Sequence, residues 1–209
     1  ATAGIFRAGP ARVLIVGMSS VHDPTRPIYP AFPAASERSW ISIDLAAVRH
    51  NYAQLRERAG VPLIAMVKAD AYGLGMVPVA KALGAEFGKR AASTDAPWAL
   101  GVATLHEAAD LRRAGYRGRI WCSAPLTVRD LTLAKELDVR PSLHDGETIR
   151  AWASVFGGPW HLAIDTGMAR AGVRWDRVSP LREVLRFRPP EGVYTHFHSS
   201  EMNDGSLAE

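Results

Sequence analysis

The chain is poor in several features that mark particular classes of protein. It has one cysteine in 209 residues, Cys122, which excludes an intrachain disulfide and fits a reducing compartment such as the cytoplasm. No apolar run approaches the roughly 20 residues that cross a bilayer, and the run at residues 13–18 is too short for a signal-peptide core. The sequence contains no GxGxxG and no Walker-type loop, which argues against dinucleotide and P-loop sites.

Composition and charge are those of an ordinary globular protein. Hydrophobic residues make up 47% and charged residues 22%, with a net charge of +4, so one domain with a sizeable core is expected. The densest cationic segment, Arg112 to Arg119, has no interleaved aromatic stacking run. We interpret it as a solvated helix face and expect neither a nucleic acid nor a membrane as partner.

Lysine is scarce, and one of the four lysines differs from the others. Lys81, Lys89 and Lys135 lie in polar surroundings, whereas Lys68 closes the apolar run at residues 61–67. An ammonium at the end of a buried strand is costly unless it is paired or neutralised, and a neutral amine is the form that attacks a carbonyl. Residue types alone leave two interpretations open: a reactive amine, or a lysine that snorkels to solvent.

The segment around Lys68 is similar to a known cofactor signature. Residues 65–75 have the sequence Ala-Met-Val-Lys-Ala-Asp-Ala-Tyr-Gly-Leu-Gly, which resembles the lysine motif of alanine racemases, enzymes that bind pyridoxal 5'-phosphate (PLP). The resemblance implies that Lys68 holds the cofactor covalently and acts as one of two catalytic bases. It also implies that Tyr72 hydrogen-bonds the cofactor phosphate, although residue type alone allows an ordinary loop tyrosine. The family usually has His where this chain has Leu74.

A second signature occupies residues 162–172. Its sequence, Leu-Ala-Ile-Asp-Thr-Gly-Met-Ala-Arg-Ala-Gly, resembles the family's Asp-Thr-Gly-Met-x-Arg-x-Gly. The resemblance implies that Arg170 contacts the cofactor's phenolic oxygen and helps to hold the substrate carboxylate, since a guanidinium offers a fixed fork of donors. Many family members have a carbamylated lysine at the position of Ala163. Alanine cannot replace it, so we expect either another neighbour to orient Arg170 or activity to be reduced.

A third signature, Tyr-Thr-His-Phe, occupies residues 194–197. The resemblance implies that His196 packs beside the cofactor ring and bonds an arginine that would lie beyond residue 209. His198 makes a His-x-His pair with His196, and alternate strand residues point the same way. A metal-dependent hydrolase is therefore a rival interpretation. It is disfavoured because only Asp165 is a further candidate ligand at a strand end and because a metal does not explain Lys68; we expect no metal.

From residue 39 onward, short apolar strands alternate with helices. Asp44 is predicted to cap the first helix, Gly60 to end it, and Thr104 with Glu107 to form a capping box. The predicted strands end near Lys68, Ala103, Cys122, Leu143, Asp165 and Phe197. Such alternation predicts a parallel sheet with ligand-binding residues after the strands. The expected fold class is α/β, a (β/α)8 TIM-type barrel truncated after about six β/α units.

The first 38 residues are expected to differ from the rest. Five prolines between residues 10 and 33 and the lack of periodicity predict an irregular, proline-rich arm. Residues 39–43 are predicted to form a short strand. By resemblance, residues 39–209 form an incomplete N-terminal PLP-binding barrel domain, which in the family continues into two further barrel units and a smaller, mostly β domain.

These motifs predict an alanine racemase that interconverts L- and D-alanine for peptidoglycan synthesis, as a cytoplasmic homodimer, with this chain an N-terminal portion. In the family the second base is a tyrosine of the partner subunit, so we expect the 209 residues alone to be inactive or weakly active. Relatives that racemise serine share these motifs. The alternative is a single-domain PLP carrier without racemase activity, which the Asp-Thr-Gly-Met-x-Arg run and the incomplete barrel disfavour.

Overall fold

The computed structural model describes residues 3–8, 11–16, 41–85, 87 and 94–198. The strands in this part of the chain are β1 (Ala3–Ala8), β2 (Ala11–Val16), β3 (Leu63–Met66), β4 (Ala99–Val102), β5 (Ile120–Cys122), β6 (Val139–Leu143), β7 (His161–Asp165), β8 (Val173–Arg174) and β9 (Gly192–Thr195). The helices are α1 (Leu45–Ala59), α2 (Lys68–Tyr72), α3 (Met76–Ala82), α4 (Leu105–Arg113), α5 (Asp130–Glu136), α6 (Gly146–Ala151) and α7 (Arg182–Phe187). A π-helical turn extends α6, and two 3-10 turns precede α7.

The sheet consists mainly of parallel strands in chain order. β3, β4, β5, β6 and β7 pair successively, and β9 pairs with β7 along His161 to Ile164. The two-residue strand β8 also pairs with β7. Helices connect the strands, as parallel pairing requires. The predicted α/β architecture, an arc of six β/α units of a TIM-type barrel, is confirmed.

The amino-terminal segment departs from the prediction. β1 pairs antiparallel with β2, β2 adds in parallel to the free edge of β3, and β1 lies beside β9. The prediction of an irregular arm is therefore wrong for residues 3–8 and 11–16, whereas the rest of the segment lies outside the described residues. Without β2, the edge of β3 would present unpaired backbone donors and acceptors. The proline content of residues 10–33 gives no indication that β2 pairs with this edge.

Helix boundaries follow the local signals closely. The Asp44 carboxylate accepts hydrogen bonds from Ala46 N at 2.8 Å and Ala47 N at 3.0 Å, and Gly60 ends α1 with φ of 62°. Both caps were predicted. α5 begins at Asp130, whose carboxylate accepts hydrogen bonds from the backbone N–H and the hydroxyl of Thr127.

The short strand predicted at residues 39–43 is not found where the structure describes that segment. Residues 41–43 have no regular secondary structure, and Ile41 and Ile43 are 86% and 37% exposed. Residues 39 and 40 lie outside the described part. The alternation of isoleucine with polar residues suits a strand only if a partner strand lies beside it, and the described residues supply none.

The strands divide their side chains between two cores. Ile64 and Met66 of β3 pack with Ala99 and Trp121 in an inner cluster, whereas the residues between them pack against the helices. The inner layer is tightly filled, because a Cβ added at Gly101 would lie 2.3 Å from the Met66 sulfur.

Candidate active site

Lys68 lies two residues after Met66, the last residue of β3. It is the first residue of α2 and is half-buried. Its Nζ atom lies 5.8 Å from the ring centroid of Tyr72, within the range of a cation–π contact. Tyr72 is 50% exposed, and its partial burial raises the pKa of its hydroxyl. The first signature thus places an amine and a phenol side by side at the carboxyl end of a barrel strand.

The α2 segment is a left-handed turn. Four consecutive non-glycine residues, Ala69 to Tyr72, have φ between 51° and 57°, a conformation that costs L-residues roughly 1–2 kcal/mol each. The Asp70 carboxylate accepts a hydrogen bond from Met76 N at 2.6 Å, and Asp70 O accepts from Gly75 N at 2.9 Å. These contacts close the turn onto the start of α3.

Arg170 lies on a second tight turn, after β7. The Asp165 carboxylate accepts hydrogen bonds from Gly167 N and Ala169 N, each at 3.0 Å, and these bonds lower its pKa. Ala169 has φ of 56°. Arg170 is exposed, and within the described residues its guanidinium makes no hydrogen bond and no ion pair.

The basic groups of the three signatures meet at one end of the sheet. His196 follows β9, and its pKa is lowered first by burial and then by the positive charges of Arg170 and Lys68. Inside the barrel, burial raises the pKa of Tyr194 to about 12. The end of the sheet where the strands finish therefore brings two cationic side chains and an imidazole into electrostatic range of one another.

The carboxylates of this region form no ion pair with those cations among the described residues. Asp70 and Asp165 bind backbone N–H groups, and so does Glu107 of the capping box. Within the described residues, neither Lys68 nor Arg170 has a carboxylate partner. Two unpaired cations beside an imidazole suit a ligand that carries anionic groups.

Ala163 occupies the position at which many family members have a lysine. It is buried and is the register partner of Tyr194. His161, two residues earlier on the same face, contacts Trp98 and Trp121, so Ala163 faces the interior. Its methyl group cannot hydrogen-bond a guanidinium. The expectation that another neighbour orients Arg170 stays a prediction.

The one cysteine of the sequence, at the end of β5, is a structural thiol. Cys122 is fully buried, donates from Sγ to Ala103 O at 3.5 Å, and has its pKa raised by burial to about 11, as a structural thiol does. Within the described residues, no group of three or more His, Cys, Asp or Glu side chains is arranged to hold a metal ion. In the same part of the chain, no helix has the length and apolarity to span a membrane.

A broad groove of about 1410 Å³ lies at the opposite end of the strands. It is lined by α1 and by the segments that precede β3, β4 and β5. Its acid Asp95 is paired with Arg56 at 2.5 Å. None of the three signatures contributes to it, and functional sites of β/α barrels form at the carboxyl ends of the strands. We therefore place the candidate site at Lys68.

Sequence reasoning missed the residues that connect the signatures. The hydroxyl groups of Thr166 and Thr195 are hydrogen-bonded, and the second oxygen of Glu107 reaches the residue after Lys68. The two threonines lie in the second and third signatures and Glu107 lies in the capping box, so all three belong to motifs of the sequence. Nothing in the adjacent sequence indicates that Thr166 contacts Thr195 or that Glu107 contacts Ala69.

A β/α-barrel arc with a lysine, an arginine and a histidine after its strands defines a barrel protein whose functional site lies at the carboxyl ends of those strands. Residues 43–209 match the family model described as alanine racemase, N-terminal domain. The chain belongs to this family.

Curated relatives carry the same name. The chain is 34% identical over 184 residues to the alanine racemase of Syntrophobacter fumaroxidans, covering 79% of this chain and 44% of the relative. It is 36% identical over 175 residues to the alanine racemase of Deinococcus radiodurans, covering 82% of this chain and 46% of the relative. The chain thus spans less than half the length of these relatives.

Solved structures agree with the fold. The alanine racemase of Bacillus anthracis with bound L-Ala-P is 32% identical with a TM-score of 0.64, covering 79% of this chain and 43% of that one. The alanine racemase of Streptomyces lavendulae is also 32% identical with a TM-score of 0.64, covering 79% of this chain and 44% of that one. A structure from Bartonella henselae with covalently bound pyridoxal phosphate is 24% identical, with a TM-score of 0.60 over 71% of this chain and 42% of that one; at this identity the likeness is one of fold.

Proposed function

We propose that this chain is the cofactor-holding portion of a cytoplasmic alanine racemase that uses PLP to interconvert L- and D-alanine for peptidoglycan synthesis. One observation carries the proposal. Lys68, Arg170 and His196 follow the carboxyl ends of β3, β7 and β9, near enough for the charges of Arg170 and Lys68 to lower the pKa of His196, while the neighbouring acids are bound to backbone N–H groups. The curated relatives, each named alanine racemase, support the choice of substrate.

The residues present fit PLP by the chemistry of the donor set. The cofactor carries an aldehyde, a phosphate and a phenolic oxygen, and it supplies an electron sink when the α-proton leaves the amino acid. The Lys68 amine suits the aldehyde, and Tyr72 beside it can donate to the phosphate. The exposed Arg170, which has no ion-pair partner among the described residues, would suit the phenolic oxygen and the substrate carboxylate, and His196 would lie beside the ring.

Lys68 has a second role in this proposal. Its Nζ atom removes the α-proton from one face of the substrate, or delivers a proton to that face when the reaction runs in the other direction. Racemisation also needs a base on the opposite face. The described residues offer none opposite Lys68, so that base comes from outside them, in a homodimer from the partner subunit. The 209-residue chain alone is therefore expected to turn over alanine poorly, and a rate comparable with a full-length family member would contradict this expectation.

Borohydride reduction tests the cofactor site directly, since it converts a lysine–PLP linkage into a stable adduct. We expect one pyridoxyl group, on the peptide that contains Lys68. Lys68→Met should abolish it, whereas Lys135→Met, the matched change at an exposed lysine, should leave it unchanged. Absent label, or label spread over Lys81, Lys89 and Lys135, would contradict the proposed site.

A second measurement separates a racemase from a PLP carrier. The loaded chain is incubated separately with L-alanine and with D-alanine in heavy water, and the α-hydrogen is followed by NMR, because a base on one face serves only one enantiomer. A racemase portion with a working Lys68 exchanges the α-hydrogen of one enantiomer at a slow but measurable rate, which Lys68→Met removes. A carrier binds PLP without exchange, and that result would favour the alternative.

A further inference from the structure

The carboxylate of Glu107 joins two β/α units. Its Oε1 atom accepts a hydrogen bond from Ala69 N at 2.7 Å. Its Oε2 atom accepts from Ala103 N at 2.7 Å and from Thr104 N at 3.1 Å. The capping box of α4 needs only the Thr104 contact, together with the bond from Glu107 N to Thr104 Oγ1 at 3.2 Å. The bond to Ala69, 38 residues away, is additional to the cap.

Ala69 is the first left-handed residue of the turn that starts at Lys68. A run of four left-handed L-residues is unfavourable by itself and persists only where the surrounding structure holds it. Asp70, the next residue, holds the turn to the segment that follows it, because its carboxylate accepts from Met76 N and its carbonyl oxygen accepts from Gly75 N. At its near end, the side-chain bond that reaches the turn from another unit comes from Glu107.

We propose that Glu107 is a positioning residue for the cofactor lysine. By anchoring Ala69 N it holds the left-handed turn, and the turn in turn sets the direction of the Lys68 amine and of the Tyr72 ring. The consequence for PLP rests on the proposed function, whereas the anchoring itself does not. An ionised carboxylate is suited to this role because it accepts bonds on both oxygens, from both units at once.

Glu107→Gln is the informative variant. It keeps the size and helix propensity of the side chain, but an amide has one acceptor oxygen and sets an NH₂ against a backbone N–H on its other side. Thr104→Ala is the matched control, because it breaks the capping box and leaves the Glu107 carboxylate in place. If Glu107 only capped α4, the two variants would behave alike.

Backbone hydrogen exchange without PLP tests the anchoring. We expect Glu107→Gln to raise the exchange rate at Ala69 to Gly73 about tenfold, the effect of losing a charged hydrogen bond, while β6 stays protected as in the parent chain. Thr104→Ala should raise exchange only in the first turn of α4. Unchanged protection of Ala69 in Glu107→Gln, or the same loss in both variants, would overturn the proposal.

PLP titration and borohydride mapping test the consequence. Glu107→Gln should raise the PLP dissociation constant about tenfold and shift the pH dependence of the absorbance of the bound cofactor, and Thr104→Ala should stay within about twofold of the parent chain. Parent-like affinity and pH profile in Glu107→Gln would overturn the positioning role. If the unaltered chain does not load Lys68, the proposed function fails, whereas the exchange rate of Ala69 still decides the anchoring.

Discussion

The hydroxyl oxygens of Thr166 and Thr195 lie 2.7 Å apart, which joins the turn after β7 to the last residue of β9. Thr166 precedes Arg170 by four residues, and Thr195 directly precedes His196. The bond therefore connects the second signature to the third. It restrains the distance between a guanidinium and an imidazole that are far apart in the sequence.

Replacing Thr195 by valine should weaken cofactor binding more than folding. The change removes the hydroxyl and keeps the branched shape, so we expect the PLP dissociation constant to rise about two- to tenfold and the free energy of unfolding to fall by about 1 kcal/mol or less. PLP titration and urea unfolding measure the two effects. Thr132→Val, on the exposed surface of α5, is the control; equal PLP affinities in both variants would show that the bond has no role.

Gly172 should tolerate alanine less well than Gly167. Both have positive φ, 124° and 136°, but a Cβ on Gly172 would lie 2.7 Å from Asp165 N and 2.9 Å from Ile164 C, whereas a Cβ on Gly167 meets nothing within 4 Å. Because β7 cannot shift cheaply, Gly172→Ala should lower the free energy of unfolding by about 1–3 kcal/mol more than Gly167→Ala. Denaturant unfolding compares the pair, and equal losses would contradict the prediction.

The pKa of His196 should report on its cationic neighbours. Burial lowers it below the ordinary 6.5, and the charges of Arg170 and Lys68 lower it further, so Arg170→Gln should raise it. NMR titration of the PLP-free chain measures the change, with the exposed Arg177→Gln as control. As pH falls through about 6.5, the unfolded state takes up the proton first and stability decreases; this decrease should be smaller in Arg170→Gln. An unchanged pKa would mean that the two side chains do not interact.

Glu191 should stabilise the other end of the barrel interior. Its Oε2 atom accepts from Arg140 Nε at 2.7 Å and lies 3.5 Å from His161 Nε2, and Arg140 is 13% exposed. Glu191→Gln leaves that guanidinium without an anion, so the free energy of unfolding should fall by about 1–3 kcal/mol near neutral pH. Glu183→Gln, on the exposed surface of α7, should change it little.

The contribution of Glu191 to the free energy of unfolding should depend on pH. Burial would raise the pKa of Glu191, but the hydrogen bonds and charges of His161 and Arg140 outweigh it and hold the pKa below the ordinary 4.5. The stabilisation is then present above about pH 4.5 and is lost as pH falls through the lower folded-state pKa. Unfolding measured from about pH 3 to about pH 7 should give a flatter profile for Glu191→Gln, and a profile parallel to that of the parent chain would contradict this assignment.

Several elements could be predicted because their signals are local. The cap at Asp44, the glycine end at Gly60 and the capping box at Thr104 each depend on a few adjacent residues, and all three are confirmed. β1 and β2 were missed because a strand at a sheet edge depends on its partner, here β3, more than on its own composition. The strand predicted at residues 39–43 is not found at residues 41–43, because no partner strand lies beside them among the described residues.

The sequence by itself determined the family, the alternation of strands and helices, and the residues around Lys68, Arg170 and His196, because those patterns lie within short continuous segments. The roles of these residues stay predictions until they are tested. The tertiary structure alone decided that residues 69–72 are left-handed and that Glu107 anchors them. It also decided that the local acids bind backbone N–H groups and that, among the described residues, Lys68 and Arg170 have no carboxylate partner. The physical reason is that these bonds join residues far apart in the sequence, whose geometry exists only once neighbouring β/α units have packed.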